Sequence, residues 1–282
     1  MKPKPRVSAA LPTLLTLGNG ACGFGAITIA AKIGPEAIPG EPSGPNLLAA
    51  SLLVFLGMFF DMLDGTAARL TKSATDIGAQ LDSLCDAVTF GVAPAFIMLQ
   101  FARYDQLLSE KHPAWFTYPS RMVWTIGALY VVCAILRLAR FNVETEEDDA
   151  HDGFSGLPSP AAAGAVVSFP VALGEVIRPH GADPMMLLWL GPFLVAALPL
   201  VTLTAAVLMV SRFPYPHVFS QLAQGGWRRR DVIGLVFGVA VTFWLHELAV
   251  MLLFTGFAAS GPVKFGLKEV RERSTSSRDA AA

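Results

Sequence analysis

Apolar residues are gathered into long runs separated by short polar connectors, and the runs locate helices at about Leu11 to Lys32, Leu47 to Arg69, Ile77 to Phe101, Val123 to Phe141, Pro160 to Ile177 and Met185 to Val210. Runs of about 20 apolar residues match the length an α-helix needs to cross the hydrocarbon core of a bilayer. The expected fold class is all-α and polytopic, a six-helix membrane domain over residues 1–215. A further apolar stretch, Val232 to Ala259, is long for one crossing and short for two. Residues 216–261 are therefore expected to add a C-terminal membrane segment, either one span or two short helices broken near His246 and Glu247. After Pro262 the chain turns polar and rich in Ser, Arg and Ala, so residues 262–282 read as a disordered tail.

Composition agrees with the pattern. Hydrophobic residues make up 53% of the 282, and charged residues only 15%, against about 25% in an ordinary soluble domain. The first run is followed by further runs and not by a small-residue cleavage site, so it reads as a span and not as a removable signal.

Net charge is −1, but its location is uneven. With the N-terminus on the cytoplasmic side and six crossings, that side receives Lys2, Lys4, Arg6, Arg69, Lys72, Arg137, Arg140, Arg212 and Arg228 to Arg230. The opposite side keeps Lys32, Arg103, Lys111, Arg121 and Arg178, so the positive-inside rule supports this orientation. The tail carries Lys264, Lys268, Arg271, Arg273 and Arg278. It would break the rule after a single seventh crossing, and a helical hairpin would restore it. Cys22, Cys85 and Cys133 sit in different runs without metal-ligand spacing, which argues against a disulfide framework or a zinc site. The acidic run Glu144 to Asp149, with His151 beyond it, reads as a solvated loop.

Against this apolar background four aspartates stand out. Asp61 and Asp64 lie on the second predicted helix, with Gly65 and Ala68 continuing the same face, and Gly78, Asp82 and Asp86 recur every fourth residue on the third. A carboxylate placed in a membrane helix costs about 2.5 to 3.5 kcal/mol on insertion scales, so four of them need a common compensating partner. The connector between the two helices is short, and Ser73 with Asp76 resembles a helix-start cap. The helices are therefore expected to be antiparallel neighbours whose acids meet near the cytoplasmic surface. Oxygen-only ligands select hard ions such as Mg²⁺ or Mn²⁺, and four carboxylates are enough for two. Pairing with Arg69 or Lys72 is the plainer alternative, and it accounts poorly for four acids with small residues between them. Asn19, on the first run near Gly18, Gly20 and Gly23, reads either as a nucleotide contact or as a packing amide. Arg137 and Arg140 end the fourth run on the side of the aspartates, where a guanidinium fork suits a carboxylate or phosphate.

The spacing Asp61, Asp64, Gly65, Ala68, Arg69, then Gly78, Asp82 and Asp86 resembles the signature of the CDP-alcohol phosphatidyltransferase family at every fixed position. The strings LDSLCDAVTFGVAPA at 81–95, RLARFN at 137–142 and FSGLPSPAAA at 154–163 narrow the resemblance to its bacterial branch that uses serine as acceptor. The resemblance implies a six-helix, homodimeric membrane enzyme of the bacterial inner membrane, with its site facing the cytoplasm. It implies CDP-diacylglycerol and L-serine as substrates, with CMP released. Asp61, Asp64, Asp82 and Asp86 would be the ligands of two Mg²⁺ or Mn²⁺ ions, and Asp86 also the general base. Asn19, Gly65, Ala68, Arg69 and Gly78 would meet the CDP moiety, and Arg137 and Arg140 the serine carboxylate or a lipid phosphate. Glycerol 3-phosphate or an inositol phosphate is the alternative acceptor. A divalent-cation transporter is the alternative of another class, for which carboxylates near the middle of several helices would be expected.

Overall fold

Each of the six predicted runs is helical in the computed structural model, which describes residues 7–32, 44–71, 76–108, 118–146, 156–177, 184–213, 215 and 248–266. In chain order the elements are α1 (Val7–Ala30), α2 (Gly44–Thr71), α3 (Asp76–Asp86), a π-helical segment (Ala87–Val92), α4 (Ala93–Leu108), α5 (Ser120–Glu146), α6 (Ser159–Ile177) and α7 (Pro184–Val210). A last helix, α8, spans Leu248–Gly266. No strand occurs among the described residues.

Among the described residues six spans are long and apolar enough to cross a membrane, and they differ from the predicted six in one place. The third is the continuous stack of α3, the π segment and α4, Ile77–Arg103. The predicted fifth span is present as α6, but its apolar stretch is the shorter Ser159–Leu173, and α8 supplies the remaining long span. Two boundaries also move. The helix α5 runs to Glu146, so the start of the predicted acidic loop is helical, and α8 continues past Pro262 to Gly266. Ser73, His151, Arg228 to Arg230 and the His246–Glu247 break lie outside the described residues, as does the tail from 267 onward.

Small residues fix how the helices approach. Gly18 faces Phe60 and Gly25 faces Leu53, so α1 and α2 run antiparallel along each other. Gly20 faces Cys85 and Gly23 faces Thr89, so α1 and the α3–π stack run parallel. Arg137 on α5 reaches Ser159 at the start of α6, while Gly91 meets Ala134 and Gly127 meets Met98, making α5 antiparallel to the α3–α4 stack. Helix α6 is buried on every side from Ala162 to Leu173, the signature of a helix inside the bundle. Its alanines and Gly164 let neighbours come close, the usual route to helix association where lipid removes the hydrophobic drive. Phe254 of α8 occupies the space a side chain at Gly164 would need, and its ring packs at a tilt against Phe55 of α2, centroids 5.6 Å apart.

The entry to α6 is pinned to the exit of α7. Gly156 N–H donates to the Phe213 carbonyl at 2.9 Å, and Leu157 N–H to the Leu208 carbonyl at 3.0 Å. Gly156 has φ of +100°, and a Cβ there would stand 2.5 Å from the Met209 carbonyl oxygen, so only glycine fits. The result places the last turns of α2, α5 and α7 and the first turns of α1, α3 and α6 at one end of the bundle.

Candidate active site

That shared end holds the acids. Asp61 and Asp64 come from the last turns of α2, and Asp82 from the second turn of α3. Each offers an oxygen within 4.8 Å of the others. The antiparallel hairpin expected from the short connector thus brings three of the four predicted ligands together. Asp86, one turn further along α3, falls outside that group.

The deeper acids are held from α1. Thr16 Oγ1 donates to Asp64 Oδ2 at 2.7 Å, and Asn19 Nδ2 donates to Asp86 Oδ1 at 2.8 Å. Thr16 and Asn19 are three apart, so they project from one face of α1. Asp64, Asp86, Thr16 and Asn19 are all buried, while Asp61 and Asp82 are half-buried at the mouth. Asp82 Oδ1 is buried and has no hydrogen-bond partner among the described residues. A buried carboxylate oxygen without a donor is costly unless a cation satisfies it. Three close carboxylates with one oxygen unsatisfied fit a hard divalent ion, because all the donors are anionic oxygens.

Arg137 lies half-buried within electrostatic reach of Asp86 and Asp61. Its Nη1 donates to Ser159 Oγ, which ties the guanidinium to the first turn of α6. Arg140 is exposed one turn later on α5. Between α3 and α5, Ser83 and Asn142 exchange hydrogen bonds at 3.0 and 3.2 Å. Gly65 is exposed, and a Cβ there would meet nothing within 4 Å. Gly78 is half-buried on the first turn of α3. Ala68 and Arg69 continue α2, but their side chains lie outside the described residues.

The structure therefore assembles Asp61, Asp64 and Asp82, sets Asp86 beneath them, and brings Arg137 to the same place. It gives Asn19 a partner within the protein, Asp86. Thr16, Ser159 and the Ser83–Asn142 pair were not anticipated as site residues. Their partners lie 22 to 59 residues away in sequence, and a lone hydroxyl in an apolar helix usually satisfies itself on the preceding turn.

Comparison with known proteins agrees with the arrangement. Residues 9–210 match the family model described as CDP-alcohol phosphatidyltransferase. A Bacillus subtilis protein named CDP-diacylglycerol–serine O-phosphatidyltransferase is 30% identical over 215 residues, covering 76% of this chain and 94% of the relative. A Mycobacterium tuberculosis protein of the same name is 34% identical over 161 residues, covering 56% of this chain and 47% of the relative. An archaetidylserine synthase of Methanothermobacter thermautotrophicus is 33% identical over 215 residues, covering 74% of this chain and 70% of the relative.

Proposed function

The chain belongs to the CDP-alcohol phosphatidyltransferase family, and from that premise we propose that it transfers the phosphatidyl group of CDP-diacylglycerol to the hydroxyl of L-serine, giving phosphatidylserine and CMP. The observation that carries the reading is the carboxylate cluster at one end of α2 and α3, with Arg137 beside it. Serine as acceptor is supported by the names of the bacterial and archaeal relatives.

In this reading Asp61, Asp64, Asp82 and Asp86 hold Mg²⁺ or Mn²⁺. When bound, such a pair of ions neutralises the charge developing on a pyrophosphate. Asp86 accepts the proton of the serine hydroxyl. The serine oxygen forms a bond to the lipid-side phosphorus, the bond from that phosphorus to the CMP oxygen breaks, and CMP leaves. Gly65, Ala68 and Gly78 leave room for the nucleotide, and the open space around Gly65 is consistent with that role. Arg69 would serve as a contact for the CDP moiety or as a helix-end charge. Arg137, oriented by Ser159 and assisted by Arg140, presents N–H donors to the serine carboxylate or to a lipid phosphate.

The site opens at the bundle end where the positive-inside rule sets the cytoplasm. Acyl chains then stay in the bilayer while serine and CMP exchange with water. We assign the protein to the bacterial inner membrane as a homodimer.

Purified protein in detergent, given CDP-diacylglycerol and Mn²⁺ or Mg²⁺, is expected to release CMP when serine is added and to stop when the metal is chelated. Release with glycerol 3-phosphate or an inositol phosphate but not with serine would sink the acceptor assignment. No release with any acceptor, from folded protein, would sink the transferase reading and favour cation transport.

A further inference from the structure

Asn19 is fully buried on α1, and its side chain reaches Asp86 on α3. Nδ2 donates to Asp86 Oδ1 at 2.8 Å, while Oδ1 of the amide is buried without a partner and faces Gly57, where a Cβ would approach it to 3.0 Å. Against an ionised Asp86, the opposite orientation of the amide would set two acceptors against each other. The backbone of Asn19 is fixed as well, because Thr89 Oγ1 donates to its carbonyl at 2.9 Å. Thr89 belongs to the π-helical segment that begins directly after Asp86. A Cβ at Gly23 would stand 2.4 Å from Thr89 Oγ1, and one at Gly57 would stand 2.6 Å from Thr89 Cγ2. Two glycines on two helices thus make room for this one contact.

From this geometry we infer that Asn19 is a positioning residue for the general base: with Thr89 it fixes Asp86 through Oδ1, leaving Oδ2 as the oxygen that receives the acceptor's proton. The inference rests on the role proposed above for Asp86. An amide suits the task because it donates a hydrogen bond without bringing charge, so it orients the carboxylate without quenching it as a base. A lysine or arginine at the same place would form an ion pair and weaken its pull on a proton. The orphaned Asn19 Oδ1 is what a packing role would avoid, since a buried acceptor without a donor is destabilising. The orientation that leaves Oδ1 orphaned is the one in which Nδ2 faces Asp86.

The test compares Asn19→Ala, Asn19→Asp and Thr89→Val with the unmodified full-length protein in detergent, reading CMP release under steady state together with the thermal midpoint. Misplacing a catalytic group costs up to about 100-fold in rate. Both Asn19 variants are expected to lose roughly 10- to 100-fold in kcat at saturating Mn²⁺, with KM for CDP-diacylglycerol unchanged within about twofold. Thr89→Val keeps the shape of the residue and removes only the hydroxyl, and it is expected to lose several-fold in kcat in the same pattern. A raised KM for CDP-diacylglycerol with kcat intact would overturn the inference in favour of a nucleotide contact. A lowered midpoint with kcat intact would overturn it in favour of packing. If the Asn19 variants do not fold, Thr89→Val is judged by the same criteria. Serine-dependent release by the unmodified protein tests the transferase reading separately: a different acceptor leaves the inference standing, and no release overturns both.

Discussion

Thr16 has one hydroxyl proton and two acceptors within reach, Asp64 Oδ2 at 2.7 Å and the Pro12 carbonyl at 3.0 Å. The shorter bond goes to the group with the greater need, a buried carboxylate. Removing that donor leaves Asp64 free to turn away from Asp61 and Asp82. Thr16→Val keeps the shape and deletes the bond, and loss of such an outer support lowers metal affinity by about 10- to 100-fold. The expected outcome is a rise of about tenfold in the Mn²⁺ needed for half-maximal CMP release, with little change in kcat at saturating Mn²⁺; titrating Mn²⁺ against activity measures it. Asp86→Asn is expected to behave the other way, losing at least about 100-fold in kcat, the smallest usual contribution of a general base, and keeping a folded, monodisperse protein. The aspartates were legible in the sequence because a carboxylate in an apolar run has few explanations. Thr16 was not, because its alternative partner at Pro12 makes it look like any self-satisfied helical threonine. Asn19 was legible as a residue needing a partner, but its neighbour on α3 is 67 positions away and only the packed helices reveal it.

At the scale of elements, the feature that shapes the site is the π-helical segment Ala87–Val92 set inside a span whose sequence reads as one regular helix. A π turn frees carbonyls from the regular ladder, and single turns of this kind recur at functional sites. Here the Phe90 carbonyl accepts from the buried Tyr130 hydroxyl at 3.1 Å, and Thr89 is drawn to α1. Neither partner is local, so helical periodicity along α3 carries no trace of the turn. The glycines divide accordingly into two kinds. Gly23→Ala drives a Cβ into Thr89, an overpacking expected to cost about 1 to 3 kcal/mol and to lower the thermal midpoint in detergent. Gly65→Ala meets nothing within 4 Å, so the fold is expected to tolerate it with an unchanged midpoint. If the nucleotide occupies that space, KM for CDP-diacylglycerol rises even so. A Gly65→Ala protein with unchanged midpoint and unchanged KM would remove Gly65 from the nucleotide site.

For the whole molecule, the two ends of the described chain can be placed on one face. Helix α1 starts at the aspartate end, since it runs antiparallel to α2, whose last turns carry the aspartates, and Thr16 reaches Asp64 from its first half. Helix α8 finishes there too: Phe265 packs edge-on against Phe213 at 5.2 Å, and Phe213 is bonded to Gly156 at the entry to α6. Tyr215 supports the same placement, donating to the Ala258 carbonyl at 2.7 Å and filling the space above Gly261. With 19 residues and a rise of about 1.5 Å per residue, α8 is long enough to begin at the opposite face. The ends of α7 and α8 thus share a face, which is the outcome that Lys264 and the basic residues after it require if that face is cytoplasmic. The apolar stretch from Val232 was ambiguous in sequence because hydropathy counts residues and does not say on which side a helix ends; an aromatic pair and one tyrosine place the end of α8. A green fluorescent protein fused after residue 282 is accordingly expected to fluoresce in a bacterial host, and alkaline phosphatase fused at the same point to be inactive, with both results repeated for fusions at the N-terminus. An active phosphatase at the C-terminal end alone would mean that α8 does not return to the aspartate face in the membrane. Active phosphatase at both ends would instead keep the fold and turn the site to the outer side, overturning the cytoplasmic placement of the proposed reaction.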